Sequence, residues 1–303
     1  MSELFTLFFN NLFPILLAAA IGFGLAKWLN LNNRPLSQVV FYVFSPALVF
    51  KLITSSQLSN QDILSTLVIA LVIMTCIGVL TFLVGKILKF ERKMLAAVII
   101  TSIFMNAGNY GLPLTSFAFG EQALAYASVF FVISAMFTNT IGIVIASSGS
   151  MSVVDAIKGL IKFPAIYALA VGIFFLQAGW KLPSGIDRTM TLLSNGAIPS
   201  MLVLLGMQLV NIRWNGHIRP LILTSSMRLV IAPALAIGLT SLFRMPVPAT
   251  QAVVLEAAMP AAVLTTILAT EFDAEPAFVT TVVLVTTLIS PFTLTPLLAY
   301  LGA

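Results

Sequence analysis

The ten residues Met105-Asn106-Ala107-Gly108-Asn109-Tyr110-Gly111-Leu112-Pro113-Leu114 lie inside an apolar run, 94–119, that is long enough to cross a bilayer. A lipid-facing helix does not carry two asparagines, two glycines and a proline at its middle. Proline removes a backbone donor and clashes with the preceding turn, and glycine loosens the helix further. Backbone groups freed at membrane depth must find partners, so a broken helix there is buried in protein or lines a cavity. Such breaks mark the binding sites of membrane transporters.

The rest of the chain agrees with a membrane setting. Of its 303 residues 59% are hydrophobic and only 8% charged, against roughly a quarter charged in soluble domains. The mean hydropathy is +1.07. The net charge of +5 comes from basic residues scattered between apolar runs. The one cluster, Lys86, Lys89, Arg92 and Lys93, reads as juxtamembrane positives that set topology, not as a nucleic-acid site. One cysteine, Cys76, allows no internal disulfide and no cysteine metal cluster. No signal-peptide pattern precedes the first apolar run, which is expected to stay as a transmembrane helix.

At about 20 apolar residues per span, ten segments are expected, at 5–28, 35–55, 62–88, 94–119, 122–147, 162–180, 186–211, 218–243, 248–271 and 276–301. The fold class is an all-α polytopic membrane protein. Phe13, Pro14, Ala18, Ala20 and Gly22 recur as Phe163, Pro164, Ala168, Ala170 and Gly172, all at an offset of 150. Prolines also correspond in segments 2 and 7 (Pro46, Pro199) and in segments 4 and 9 (Pro113, Pro260). This predicts two five-helix repeats, 1–150 and 151–303, with segments 4 and 9 as broken crossover helices. Because five is odd, the second repeat enters the membrane inverted. Ten basic residues, Lys27, Arg34, Lys86, Lys89, Arg92, Lys93, Lys158, Lys162, Arg213 and Arg219, fall on one side, and four, Lys51, Lys181, Arg188 and Arg244, on the other. The bias puts the first set in the cytoplasm and both termini outside, in the plasma (cell inner) membrane.

The candidate chemistry gathers at the two breaks. A half-helix beginning near Pro113 and another near Pro260 and Ala261 would each present unpaired N–H groups and a partial positive charge to a carboxylate. Their preceding halves end in carbonyls that suit a cation. Asn106 and Asn109 add amides, and Gly111, which loosens the helix, is a further candidate for the substrate site. Tyr110 reads either as a packing residue or as a surface for an aromatic substrate. Glu256, four residues before Pro260, is costly at membrane depth unless paired or neutral. It reads as a cation ligand, a proton carrier, or the partner of Arg228. Arg228 lies within segment 8, with snorkelling or pairing as its plain alternative. His217, the one histidine, falls in a loop. No nucleophile elbow, phosphate loop or metal-spaced Cys/His set occurs, so the chain is not expected to be an enzyme, and no cofactor is expected.

These residues resemble a known family. Asn106–Leu114 resembles the fourth-helix crossover of the auxin efflux carriers, which include the plant PIN-formed carriers. Ala257–Pro260 with Ala269–Phe272 resembles their ninth-helix crossover. Further likeness lies in Ala26–Trp28, Pro46–Phe50, Ser194–Ala197 with Gly206, and Arg228 with Ala232–Ala234. The likeness covers nearly the whole chain, without the long cytoplasmic loop of the plant carriers, and so looks like the short bacterial form. It implies a scaffold from helices 1, 2, 6 and 7, a moving domain from helices 3–5 and 8–10, elevator-type alternating access, and a homodimer through the scaffold. It implies auxin or small carboxylates such as malate or malonate as substrates. Plant members carry glutamine where Glu256 stands, so their ion independence is not implied here. Glu256 and Met259 also resemble the sodium site of the more distant bile acid–sodium symporters, which implies Na+ (or H+) as coupling ion at Glu256 and Asn109, with Met259 and with Ser128 or Thr138 as further ligands.

The expectation is a secondary transporter of a small organic anion in the lipid bilayer, with no nucleic-acid partner. A channel built on half-helices is the main alternative, and a membrane receptor or enzyme a lesser one.

Overall fold

A computed structural model describes residues 2–147, 163–210 and 217–303. Lys158, Lys162 and Arg213, used for the charge bias, lie outside the described residues, as does most of the polar stretch between the repeats. The described chain is helical, in the order α1 Glu3–Trp28, α2 Arg34–Ser55, α3 Asn60–Ile87, α4 Arg92–Ile103, α5 Ala107–Ala146, α6 Pro164–Ala178, α7 Ser184–Gln208, α8 Ile218–Leu242, α9 Val247–Ala257, α10 Leu264–Glu271 and α11 Pro276–Leu301. Seven of these, α1, α2, α3, α5, α7, α8 and α11, are long and apolar enough to cross a membrane. Of the three expected segments that fall short, segment 6 is the 15-residue α6, and segments 4 and 9 are each broken into two pieces. The two pieces of segment 9 are α9 and α10. Segment 4 runs as α4 and then into α5, whose only non-helical residue is Gly120, at φ 72°.

Helix ends follow local sequence. Ser59 caps α3, its hydroxyl accepting the Asp62 N–H while the Asp62 carboxylate accepts the Ser59 N–H. This reciprocal pair satisfies two donors that the first turn leaves free. Gly179 closes α6 in the left-handed region that an alanine adopts poorly.

Helix α1 shows how the bundle is solvated. Leu12, Ile15, Ala19, Gly22 and Ala26 are buried on one stripe, while Phe5, Phe9, Phe13, Leu17 and Ile21 form an exposed stripe at every fourth residue. An uncharged apolar outer face of this kind suits lipid rather than water. The buried stripe packs on α7, and α2 packs on α6 and α7. Gly22 and Gly206 make the α1–α7 contact possible, because a Cβ on Gly22 would overlap the Val203 carbonyl and one on Gly206 the Ala19 carbonyl. Small residues at such a crossing let the backbones touch. Separately, α9 packs on α5 and α8, and α4 on α3 and α8. Ion pairs tie α2 to α7 and the start of α4 to the segment after α10. Lys51 meets Asp187 at 2.7 Å, and Lys93 meets Asp273. The hydrogen bond to Asp273 holds the exposed Lys93 ammonium above its usual range.

Candidate functional site

The two breaks cross each other. Helix α4 stops at Ile103, and Phe104 turns extended with φ −94° and ψ 114°. Helix α9 stops at Ala257 and the chain runs through Pro260 to Ala262 before α10. Met105 and Ala261 face each other as an antiparallel bridge. The Asn106 N–H donates to the Pro260 carbonyl at 2.8 Å, and the Ala262 N–H donates to the Phe104 carbonyl at 2.9 Å. The chain thus satisfies part of its freed backbone with a short β-pair inside a helical bundle, as low-dielectric surroundings favour.

The first break differs from the sequence expectation. It lies at 104–106, not at Pro113. Pro113 sits within α5, just after a five-residue π turn, Ala107–Gly111. The wide turn lets the chain pass a residue without an N–H, and the Leu112 N–H reaches back to the Ala107 carbonyl. The second break does contain its proline.

Both half-helix starts open on one cavity. It is lined by Asn106, Gly108 and Asn109 from the first crossing and by Ala262, Val263 and Leu264 from the second. The N–H groups of Gly108, Asn109, Val263 and Leu264 find no acceptor among the described residues. The Asn106 side-chain nitrogen is buried and also has no partner. The Asn109 side-chain nitrogen donates to Gln208 Oε1 of α7 at 3.2 Å. Free donors with partial positive charge and no carboxylate on the lining suit an anion. A second groove shares Ser37, Phe41, Gln208, Val263 and Ile267 with this cavity and runs out past Asn32, Asn33 and Arg34. At the far end a separate groove, with Glu121, Gln122 and Tyr126, shares no residue with it.

The remaining sequence candidates stand behind the cavity. Tyr110 is fully buried and its hydroxyl accepts from Ser290 of α11 at 3.3 Å. The Ala261 N–H donates to the Thr286 hydroxyl at 3.1 Å, so it is not free for a ligand. Gly111, Pro113, Met259 and Pro260 are buried and do not line the cavity. Ser128 is buried in α5, with its hydroxyl on the Ala125 carbonyl at 2.7 Å. Thr138 does line the cavity, and its hydroxyl donates to the Ser134 carbonyl at 2.8 Å. Ser37, Ser45, Asn139 and Gln208 line it too, and sequence reasoning missed them. Asn139 and Gln208 carried a usable signal, since amide side chains inside apolar runs are costly to expose to lipid.

Glu256 and Arg228 are both fully buried but do not pair. Neither belongs to the ion pairs Lys51–Asp187 and Lys93–Asp273. The Glu256 carboxyl lies against Gly111, where a Cβ would overlap all three of its atoms, and neither oxygen has a hydrogen-bond partner. Arg228 Nη1 donates to the carbonyls of Ser102 at 2.8 Å and Ile103 at 2.9 Å, and Nη2 donates to Ala257.

Known proteins give the same class. A family model described as membrane transport protein matches residues 7–298. An uncharacterized transporter of Methanocaldococcus jannaschii is 28% identical over 285 residues, covering 88% of this chain and 89% of that protein. Another from Methanothermobacter thermautotrophicus is 28% identical over 258 residues, 84% of each chain. Auxin efflux carrier component 8 of Arabidopsis thaliana is 31% identical over 143 residues, 45% of this chain and 39% of the plant protein.

Proposed function

This chain belongs to the membrane transport protein family, and from that premise of a multi-pass transporter rather than an enzyme we propose a secondary carrier of a small organic carboxylate. The observation that carries the reading is the cavity at the crossing, lined by Asn106, whose side-chain nitrogen has no partner, and by four residues whose backbone N–H groups have no acceptor among the described residues. A carboxylate there would accept charge-assisted hydrogen bonds from donors already in place. The Asn109–Gln208 contact would open as Asn109 turns to the substrate.

The proposed architecture is ten spans in two inverted repeats, with segments 4 and 9 as the crossovers. The packing of α1 on α7 and of α2 on α6 supports a scaffold separate from a moving body of α3–α5 and α8–α11. That body would carry the site by elevator motion, in a homodimer joined through the scaffold. On the charge bias, the end with Asn32–Arg34 would face the cytoplasm of a cell-membrane protein with both termini outside. The cavity would then face inward.

Glu256 is the proposed coupling group. A buried carboxyl without a donor must hold a proton or take a cation. Met259, Ser128 and Asn109 are its proposed neighbours in that role.

The test is uptake into proteoliposomes of labelled malate, malonate and indole-3-acetate. A carrier shows saturable uptake and counterflow driven by unlabelled substrate on the other side. A channel shows neither. Glu256→Gln should remove any ion dependence or stop net transport while leaving the crossing folded. Unchanged uptake with unchanged ion and pH dependence would refute the coupling role.

A further inference from the structure

We infer that Arg228 is a tethered cation, which holds the two half-helix C-termini together and fills the place where a crossover of this kind would hold a sodium ion. The inference rests on the functional reading only for its transport arm, and of the two coupling ions proposed for Glu256 it keeps the proton and drops Na+.

The argument is one of acceptors. A helix that stops at membrane depth leaves its last carbonyls unpaired and carries a partial negative charge there. Two helices stop here, α4 at Ile103 and α9 at Ala257. Broken membrane helices commonly give such carbonyls to Na+. In this chain one guanidinium takes the terminal carbonyls of both, Ser102 and Ile103 from α4 and Ala257 from α9. The neighbouring acceptors are also used. The Glu256 carbonyl receives the Met259 N–H, Phe104 receives Ala262, and Pro260 receives Asn106. A sodium ion at these three terminal carbonyls would have to displace the guanidinium that already holds them, so the two helix ends do not fit it.

Arginine is the side chain suited to this task. Its planar fork serves several acceptors at once and stays charged, whereas lysine offers a compact ammonium. The Glu256 carboxylate does not supply the countercharge, because it lies against Gly111 and makes no ion pair with Arg228. The carbonyl dipoles of two helices carry that role. Arg228 is therefore a positioning residue, acting on the cavity through the crossing that it clamps.

The experiment uses the purified full chain and compares NaCl, choline chloride and guanidinium chloride at equal, non-denaturing concentrations. Wild-type protein should unfold at the same temperature in NaCl as in choline chloride, and its malonate uptake should not change between them. Saturable stabilisation by Na+, or Na+-dependent uptake, would overturn the inference. Arg228→Ala should lose most of its uptake and its unfolding temperature should drop. Guanidinium should restore part of both, where choline does not. An alanine variant as stable and active as wild type, or a folded one indifferent to guanidinium, would overturn it. Should the alanine variant not fold, Arg228→Lys and Arg228→Met decide: the lysine variant should keep partial uptake without Na+ dependence and the methionine variant should not, and equal behaviour of the two would refute the role of charge. If none of the three carboxylates is transported, the functional reading fails, while the substrate-free unfolding measurements still judge Arg228.

Discussion

Replacing Gly111 with alanine tests whether the crossing and Glu256 are one mechanical unit. Gly111 has helical dihedrals, φ −64° and ψ −54°, so nothing in its backbone calls for glycine. In open space an alanine there would stabilise the helix by about 0.5–1 kcal/mol. The space is not open, because the new Cβ would overlap the Glu256 carboxyl carbon and both oxygens. That carboxyl is fully buried, so it cannot swing into solvent. Forcing a methyl group into a packed interior costs about 1–3 kcal/mol, which leaves Gly111→Ala a net loss of up to ~2.5 kcal/mol after the helical gain. In a Glu256→Ala background the obstacle is gone, and the same substitution should be neutral or stabilising by ~0.5–1 kcal/mol. The double-mutant cycle should therefore return a coupling of about 1–3 kcal/mol. Unfolding of the four proteins in mixed micelles measures it, with malonate uptake followed in parallel. An equal effect of Gly111→Ala in both backgrounds would mean that the carboxyl does not sit on Gly111, and the reasoning would fall.

Two further outcomes follow from contacts described above. Thr286→Val keeps the shape of the side chain but strands the buried Ala261 N–H, so it should destabilise the protein by about 1–3 kcal/mol, read as a lowered unfolding midpoint that Thr286→Ser does not share. Gly206→Ala should separate α1 from α7 and destabilise by about 1–3 kcal/mol, whereas Gly24→Ala, with nothing within 4 Å of the new methyl, should be neutral or slightly stabilising. Size-exclusion profiles and unfolding temperatures of the two variants check the contrast.

Much of the helical layout was legible because membrane helices announce themselves by long apolar runs. The break at Asn106 was legible because asparagine, glycine and proline are out of place in lipid. Its position was not. Pro113 drew attention, yet the backbone opens at 104–106, where the stabilising partners are main-chain groups of Pro260 and Ala262 that leave no mark in residue type. The partners of Arg228 were hidden for the same reason. Carbonyls are present at every residue, so a sequence can nominate Glu256 as a countercharge and miss three helix-end oxygens. Gln208 escaped notice because its importance comes from α7 lying across the cavity from Asn109, a long-range placement.

The β-pair at the crossing has a consequence for how the bundle can deform. Its hydrogen bonds join 104–106 to 260–262 through the main chain alone, so the joint acts as a rivet between two broken rods. No side chain takes part in those two bonds, while Arg228 and Thr286 brace the segments on either side of them. The rods cannot slip past each other unless both bonds break in surroundings without water, and any displacement of one donor-lined rim of the cavity drags the other along with it.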